Sequence, residues 1–305
     1  MSLITPRYFL APMAGYTDGA FRILCKEYGC QYTTTEFVSA EAVTRGGDKT
    51  FRLAKVFSEE RPASIQIFGS EPAKMAQAAH ILEKQCDAID INFGCPAPKV
   101  TRSLGGAALL DYPEKIKAIL EETVSTCTKP VTAKMRLGVK NKNNAVKIAQ
   151  LIEKSGASRL TVHGRTLEQG YTGNADWQVI AAIKKELTIP VIGNGNVKDW
   201  ESAKAMFEQT NVDGIAIGRS ALGNPSIFQA LINEKDIPVS LEEKIAMFLR
   251  YVELRKTLKL WESHGDVKAH ALQFIRGFPD AAALRLKISQ AKSVEEIVDA
   301  LPNFP

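Results

Sequence analysis

The sequence has little that would staple it, metallate it or hold it in a membrane. Its 305 residues contain five cysteines, Cys25, Cys30, Cys86, Cys95 and Cys127, and no CxxC pair. An odd number of unpaired cysteines in a chain this long excludes a disulfide framework and favours a reducing compartment. No HExxH or CxxC…CxxC spacing is present, so no metal is expected. No apolar run approaches the roughly 18 residues of a membrane span. The segment MSLITPRYFLAPM lacks the basic region and apolar run of a signal peptide. A cytoplasmic protein is therefore expected. Charge of one sign is also scarce, since 39 Lys and Arg face 34 Asp and Glu for a net +5. There is no internal repeat and no low-complexity tract. At 45% hydrophobic and 24% charged residues, there is ample apolar surface to offset the entropy of ordering, and disorder is excluded.

What is present is a recurring strand–helix alternation. Short β-rich runs occur at 8–13, 32–37, 63–68, 88–93, 130–136, 159–163, 189–193 and 213–218. Several are near-continuous apolar runs, as strands buried on both faces are. Helical patterns lie between them, such as EPAKMAQAAHILEKQ, PEKIKAILEETVST and NNAVKIAQLIEKSG, the last with Gly156 as its stop. Eight alternations predict an α/β fold, a (β/α)8 TIM barrel. A doubly wound open sheet is the runner-up, but its Gly-rich phosphate turn should follow the first strand, where APMAGYTD stands. After about residue 238 the strand pattern stops. One long amphipathic helix ending at Gly265 is predicted, then two or three more broken at Gly277-Phe278-Pro279. The expected division is a barrel over 1–238 and a small all-α domain over 239–305.

The predicted strands end in residues unusual for a buried strand. They are Pro12-Met13-Ala14, Glu36, Gln66, Asn92 to Cys95, Lys134 and Arg136, His163 and Arg165, Asn194-Gly195-Asn196, and Gly218-Arg219. In a barrel all of these converge on the C-terminal mouth, where active sites of this architecture sit. GNGNV and GRSALGNPSIF, after the seventh and eighth strands, offer two Gly-rich turns and Arg219 for a phosphorylated ligand. A Lys at position 134 supplies a fixed positive charge for a developing anion. Asn92-Phe93-Gly94-Cys95-Pro96 is the sharpest local feature. A thiol on that turn can act as nucleophile or general acid, and at neutral pH it is mostly protonated. The other four cysteines lie in helical or apolar contexts and read as structural. Basic residues gather on the predicted mouth loops, including Lys99 and Arg102, and residues 244–292 hold ten Lys or Arg against four Asp or Glu. His264 and His270 add potential charge there. A basic stripe beside a mouth points to a polyanionic substrate.

Taken together, these segments resemble the tRNA-dihydrouridine synthase family. The matching stretches are LAPMAGYTDGAFR, SIQIFGSEP, DINFGCPAPKVTRSLGGAALL, TAKMRLG, TVHGRTLEQGYTG, VIGNGNV and GIAIGRSALGNPSIF, in the family's order, with HALQFIRGFPDAAALR resembling its helical tRNA-binding domain. The resemblance implies an FMN-binding barrel that reduces the C5–C6 double bond of uridines in tRNA, with NADPH or NADH as reductant. Hydride would pass from the flavin to C6, and Cys95 would protonate C5. It also implies roles for residues. Pro12, Met13 and Ala14 would line the flavin ring, Gln66 and Lys134 would bond its polar edge, and His163 would contact the cofactor. Asn194, Gly195, Asn196, Gly218 and Arg219 would hold its phosphate. Asn92, Arg136, Arg165 and Tyr171 would hold the uracil, with Lys99 and Arg102 also on the substrate. The chain departs from the family's pattern at Asn196, where many relatives carry Asp, and at Leu272-Gln273, where an aromatic pair is common.

Three other readings compete. A dihydroorotate- or dihydropyrimidine-dehydrogenase-like flavoenzyme would act on free bases, but the basic helices and HGRT argue against it. An RNA-binding barrel without redox chemistry would not need Cys95 and Lys134. A phosphate-binding isomerase would leave Cys95 unexplained. A monomer is expected, because no second long apolar patch is visible in the sequence.

Overall fold

A computed structural model describes residues 6–260, 264–278 and 281–302. Among the described residues nine short strands run parallel: β1 (Tyr8–Leu10), β2 (Thr33–Thr34), β3 (Val38–Ser39), β4 (Ala63–Phe68), β5 (Ala88–Phe93), β6 (Val131–Arg136), β7 (Leu160–His163), β8 (Val191–Asn194) and β9 (Gly214–Ile217). Their order in the sheet is β1-β9-β8-β7-β6-β5-β4-β2, and β3 also pairs with β4. A parallel bridge between Phe9 and Tyr32 joins β1 to the start of β2 and closes the ring. Leu10 N donates to Tyr32 O at 2.9 Å across the same seam. This is the (β/α)8 TIM barrel, with helices on the chain's way from strand to strand and more helices at its C-terminal end.

The expected second strand, 32–37, is shorter than the sequence suggested, and the further strand β3 lies just beyond it. The amide of Gln66 on β4 donates to the Thr35 hydroxyl at 3.1 Å instead of to a main-chain carbonyl. The Glu36 carboxylate accepts from the Gly15 amide at 3.1 Å. Side chains thus take over where the ladder would continue, and β2 stops.

Inward and outward residues separate cleanly along the strands. Ile65, Ile67, Ile89, Ile91, Phe93, Ala133, Met135, Leu160, Val162 and Val191 belong to the main core, between strands and helices. Phe9, Ala11, Tyr32, Ile192 and Ala216 form a separate small cluster, which fills the lumen. The alternate positions, Gln66, Asp90, Asn92, Thr132, Lys134 and His163, turn inward with that second set. The polar residues that look out of place in apolar runs are therefore lumen residues.

Between the strands, helices start where side chains cap them. Asp18, Asp176 and Asp199 accept from the amides of Phe21, Val179 and Ser202, opening helices Gly19–Glu27, Trp177–Glu186 and Trp200–Thr210. Pro72 and Pro113 open two others at their first turns. Gly156 follows the helix Ala145–Lys154 at φ +95°, the stop that its sequence position suggested.

The C-terminal helices depart from expectation at one point. The helix Leu241–Thr257 does not run to Gly265. Lys259 adopts a left-handed φ of 58°, and the Leu260 carbonyl accepts from Arg255 Nη2. Gly265 falls inside the next helix, His264–Phe274. Helices Ala281–Gln290 and Val294–Asp299 follow. Gly277 breaks the path at φ +89°, while Pro279 lies outside the described residues. Among the described residues no helix is long and apolar enough to cross a membrane.

Helix Leu241–Thr257 is held to the barrel by a small polar knot. Asp18 Oδ2 accepts from Tyr251 Oη at 2.9 Å and from Arg255 Nη1 at 2.7 Å, while its Oδ1 caps Phe21 N at 2.8 Å. His270 stacks on Tyr251 at 4.3 Å between centroids, and its Nε2 donates to the Tyr16 carbonyl at 3.0 Å. Gly223, at φ +68°, packs against the same helices. A Cβ there would lie 2.2 Å from the Gln273 carbonyl, so no side chain fits. Arg255 and His270 thus belong to the packing between helices and barrel, not to an exposed basic stripe.

Arg255 is nearly buried, and removing one partner of a buried ion pair strands the other. Arg255→Ala is expected to lower unfolding stability by about 2–4 kcal/mol, read as a shifted urea midpoint with an unchanged slope. Burial holds the His270 ring at about 4, below its ordinary 6.5. The unfolded chain takes up that proton first, so this contribution is full above about pH 6.5 and is lost as pH falls toward about 4. His270→Phe is expected to flatten the acid side of the stability–pH curve, and an unchanged curve would contradict the assignment.

Candidate active site

The strand ends enclose one cavity of about 1010 Å³ at the C-terminal mouth. Ligand pockets run to roughly 300–1,000 Å³, so this one is at the large end. Register explains which residues reach it. Gln66 pairs with Asp90 and Asp90 with Thr132, making one inward layer across β4, β5 and β6. Asn92 pairs with Lys134 in the next layer up. Arg136, His163, Asn194 and Ala216 form the layer above, across β6 to β9. Pro12, Met13 and Ala14 supply an apolar wall from the loop after β1. Gly195, Asn196, Gly218 and Arg219 come together on the adjacent loops after β8 and β9. Cys95, Arg165 and Tyr171 also line it.

Cys95 is 8% exposed and sits on a turn that the fold holds from two sides. Its amide donates to Asn92 Oδ1 at 2.8 Å, as does the Gly94 amide at 3.0 Å. Its carbonyl accepts from Ala107 N at 3.1 Å. Gly106, at φ +58°, makes that return possible, since a Cβ there would come within 2.8 Å of the Cys95 carbonyl. Burial pushes the thiol up from its ordinary value, partly opposed by a backbone hydrogen bond and by Arg136 and Lys134. The thiol is therefore protonated at neutral pH, as a proton donor must be.

The cavity is cationic. Lys134, Arg136, Arg165 and Arg219 all line it. Burial, with Arg136 adding to it, pushes the Lys134 ammonium down to about 8. Lys134 makes no ion pair among the described residues. Arg219 lies over the Tyr171 ring at 4.3 Å, and Tyr171 is 54% exposed at the mouth. Burial and the surrounding cations hold His163 down at about 2, so its ring is neutral. A guanidinium only donates, so the 3.2 Å contact from Arg165 Nη1 makes His163 Nε2 an acceptor and puts its proton on Nδ1.

Several side chains expected to grip a ligand also brace the wall. Arg136 donates from Nε to Gly94 O at 3.0 Å and from Nη1 to Thr166 O and Gly170 O, both at 2.8 Å. Arg165 donates from Nη2 to Gly173 O at 2.8 Å and to Asn196 Oδ1 at 2.5 Å. Together they fasten the mouth loop 166–173 to the strand ends. Asn196, at φ +65°, also donates from Nδ2 to Asn174 Oδ1 at 2.9 Å, which leaves its backbone for a ligand. Asn194 Nδ2 donates to the Ala216 carbonyl at 2.7 Å. Asn92 is engaged with the Cys95 turn and with Gln66. Lys99 and Arg102 are exposed on the short helix Pro98–Thr101 and the residue after it, outside the cavity. Lys142, on the loop after β6, is paired with Asp176.

The sequence reading missed Asp90, Gln273 and Arg276. Asp90 is buried two residues before Asn92, and strand alternation alone would have turned it to the same face. Gln273 and Arg276 reach the cavity lining from the C-terminal helices, which no local pattern discloses. Among the described residues no cluster of His, Cys, Asp and Glu could hold a metal ion.

The sequence matches known proteins over most of its length. A family model described as "Dihydrouridine synthase (Dus)" matches residues 9–304. The chain belongs to the dihydrouridine synthase family. It is 38% identical over 295 residues to a "Probable tRNA-dihydrouridine synthase" of Aquifex aeolicus (strain VF5), covering 95% of this chain and 93% of the relative. It is 44% identical over 274 residues to "tRNA-dihydrouridine synthase B" of Escherichia coli (strain K12), covering 87% and 84%. Among solved structures, histamine dehydrogenase from Rhizobium sp. 4-9 superposes with a TM-score of 0.57 at 13% identity, covering 81% of this chain and 49% of that one. At that identity the likeness is one of fold: the barrel.

His163 is expected to stay neutral, with its proton on Nδ1, from about pH 5 to 9. Nitrogen NMR of the ring, assigned with His163→Gln, checks this. A titration within that window would contradict the proposed wall.

Proposed function

We propose that this chain is a tRNA-dihydrouridine synthase, reducing the C5–C6 double bond of uridines in tRNA with bound FMN and with NADPH or NADH as reductant. The observation that carries the reading is that a protonated thiol, Cys95, shares one cationic cavity with Lys134 and Arg219 in a chain of this family.

The residues present fit a flavin mononucleotide. The apolar wall of Pro12, Met13 and Ala14 suits a flat ring. Lys134 has no ion-pair partner among the described residues, and the carboxylate nearest it along the ladder, Asp90, lies one layer deeper and is bonded to Gln66. Lys134 and Gln66 would face the ring's polar edge, and His163 would present a neutral edge beside it. Backbone at Asn194, Gly195, Asn196 and Gly218, with Arg219, would hold the phosphate. When bound, the flavin supplies as hydride the two electrons that the nicotinamide delivers.

The protein's own part is positioning and proton transfer. Tyr171, exposed above Arg219 and Arg136, offers a face on which an extruded uracil stacks. Cys95 Sγ gives its proton to C5 of the ring. The thiolate left behind is stabilised by Arg136 and Lys134, both of which lower the thiol's affinity for a proton. Arg136 and Arg165 act chiefly by holding the mouth loop. Asn92 holds the cysteine turn and has one Nδ2 hydrogen left for the base. Lys99 and Arg102, exposed beside the mouth, suit RNA phosphates better than the base. Residues 239–305 complete the substrate surface. Arg276 brings positive charge from these helices to the cavity rim, and phosphate contacts would offset the few kcal/mol of extruding a uridine. A tRNA substrate suits a cytoplasmic protein.

The decisive experiment is anaerobic. The protein, reduced with NADPH, is mixed with unmodified tRNA, or separately with uracil or orotate, while flavin absorbance is followed. Reoxidation by tRNA is expected, and reoxidation only by a free base would move the protein to another class of reductase. Cys95→Ala is expected to keep flavin binding and reduction while slowing reoxidation by tRNA about 10²–10⁴-fold. Wild-type turnover would remove Cys95 from the mechanism. Flavin affinity is expected to fall as pH rises through about 8, where Lys134 loses its charge. Lys134→Arg should abolish that fall, and a fall that persists in the variant would assign it elsewhere.

A further inference from the structure

We propose that Asp90 is a positioning residue whose carboxylate fixes the direction of a buried hydrogen-bond chain ending on the backbone of Cys95. The chain has four links. Thr132 Oγ1 donates to Asp90 Oδ1 at 2.5 Å, and Gln66 Nε2 donates to Asp90 Oδ2 at 2.7 Å. Asn92 Nδ2 donates to Gln66 Oε1 at 2.6 Å. The amides of Gly94 and Cys95 then donate to Asn92 Oδ1. Asp90, Gln66, Asn92 and Thr132 are all buried, so water offers no substitute partners.

Direction matters because a side-chain amide can turn over with almost no change of shape. Two members of this chain cannot reverse. The Asp90 carboxylate only accepts, and the backbone N–H groups of Gly94 and Cys95 only donate. Both ends impose the same sense on the two amides between them. Gln66 must give its NH₂ to Asp90 and its oxygen to Asn92. Asn92 must give its NH₂ to Gln66 and its oxygen to the cysteine turn. The carboxylate therefore reinforces, from two residues away in the network, the acceptor that holds Cys95 in place. It also fixes which end of the Gln66 amide has a hydrogen left for the cavity.

This deepens the role given to Cys95 and rests on that reading only for its catalytic consequence. The geometry is tested through the thiol itself. The rate at which Cys95 is alkylated by iodoacetamide is measured across pH by mass spectrometry of the purified protein. Gln66→Glu sets a second carboxyl against Asp90; while the pair shares one proton the chain holds, and where that proton is lost the chain breaks. Above that pH the variant is expected to change the Cys95 rate by about tenfold or more and so to shift its pH profile, with added free cysteine serving as the reference thiol. Adding Asp90→Asn to that variant lets position 90 donate to the new carboxylate, which again accepts from Asn92. The double variant is expected to return the Cys95 rate and profile to within about twofold of wild type. Asp90→Asn alone is expected to have a small effect, because it can turn its oxygen to Gln66 and its NH₂ to the Thr132 hydroxyl, which accepts as well as donates. Asp90→Ala leaves Gln66 Nε2 without its acceptor and should behave like Gln66→Glu. Cys95 rates like wild type across the pH range in both Gln66→Glu and Asp90→Ala, or no recovery in the double variant while both fold, would overturn the proposal. Loss of uridine reduction with the alkylation pattern as expected would fault the function and leave the network standing.

Discussion

The register of the parallel strands is the constraint on which the rest depends. Because side chains alternate across a strand, pairing Gln66 with Asp90 and Asp90 with Thr132 fixes which residues of three strands face the lumen. A slip of one residue would turn Ile67, Ile91 and Ala133 inward and force a carboxylate, two amides and a lysine against the helices. Burial of that kind costs several kcal/mol per unpaired group, so the register is strongly specified. The outward residues, mostly Ile, Val, Ala and Met, then need only shape to hold the helices. The inward ones are free to carry chemistry.

Inside the mouth, the same charges serve two ends. Arg136 and Arg165 look like ligand-gripping residues by type and position. Most of their donors also tie the loop 166–173 to the strand ends, which gives the cavity its upper wall. Burial keeps His163 neutral and their positive charge adds to it, while the charge of Arg136 eases the loss of a proton from Cys95. Lys134 and Arg219 keep their charge on the cavity side without an ion-pair partner among the described residues. A wall of fixed cations with no carboxylate on its surface layer attracts an anionic ligand and needs no rearrangement when one arrives.

What the sequence could and could not disclose follows from the range of the forces involved. β4 and β5 were legible to the residue, because apolar alternation and flanking turns are local. Cys95 was legible because Gly94 and Pro96 mark its turn. The early end of β2 was not, since a side chain from Thr35 takes the place of a ladder bond to another strand. The end of helix Leu241–Thr257 was misplaced because Gly265 was the only visible stop, whereas Lys259 makes the turn without glycine. The basic count in the C-terminal region overstated the RNA-facing charge, because Arg255 and Arg250 pair with Asp18 and Glu27 on the barrel. The positions of most cavity residues were foreseen, though not those of Gln273 and Arg276. The division of labour between walls and ligands was not, because it depends on partners 20 or more residues away.

The helices and the cavity are also joined mechanically through a single loop. Residues 12–18 carry Pro12, Met13 and Ala14 at one end and Tyr16 and Asp18 at the other. The first three line the cavity, and the last two are bonded to His270, Tyr251 and Arg255. Within the loop, Thr17 N and Oγ1 both reach the Met13 carbonyl, so it behaves as one stiff unit. A surface that bound RNA through residues 239–305 would thus be fixed to the wall proposed for the flavin. This arrangement favours a helical region whose angle on the barrel is set before substrate arrives. Recognition on the proposed reading would then depend on the RNA conforming to a preformed mouth, with the base extruded toward Tyr171 and Cys95. The knot at Asp18 is small, but it is placed where a shift of one helix would be felt directly at the wall of Pro12, Met13 and Ala14.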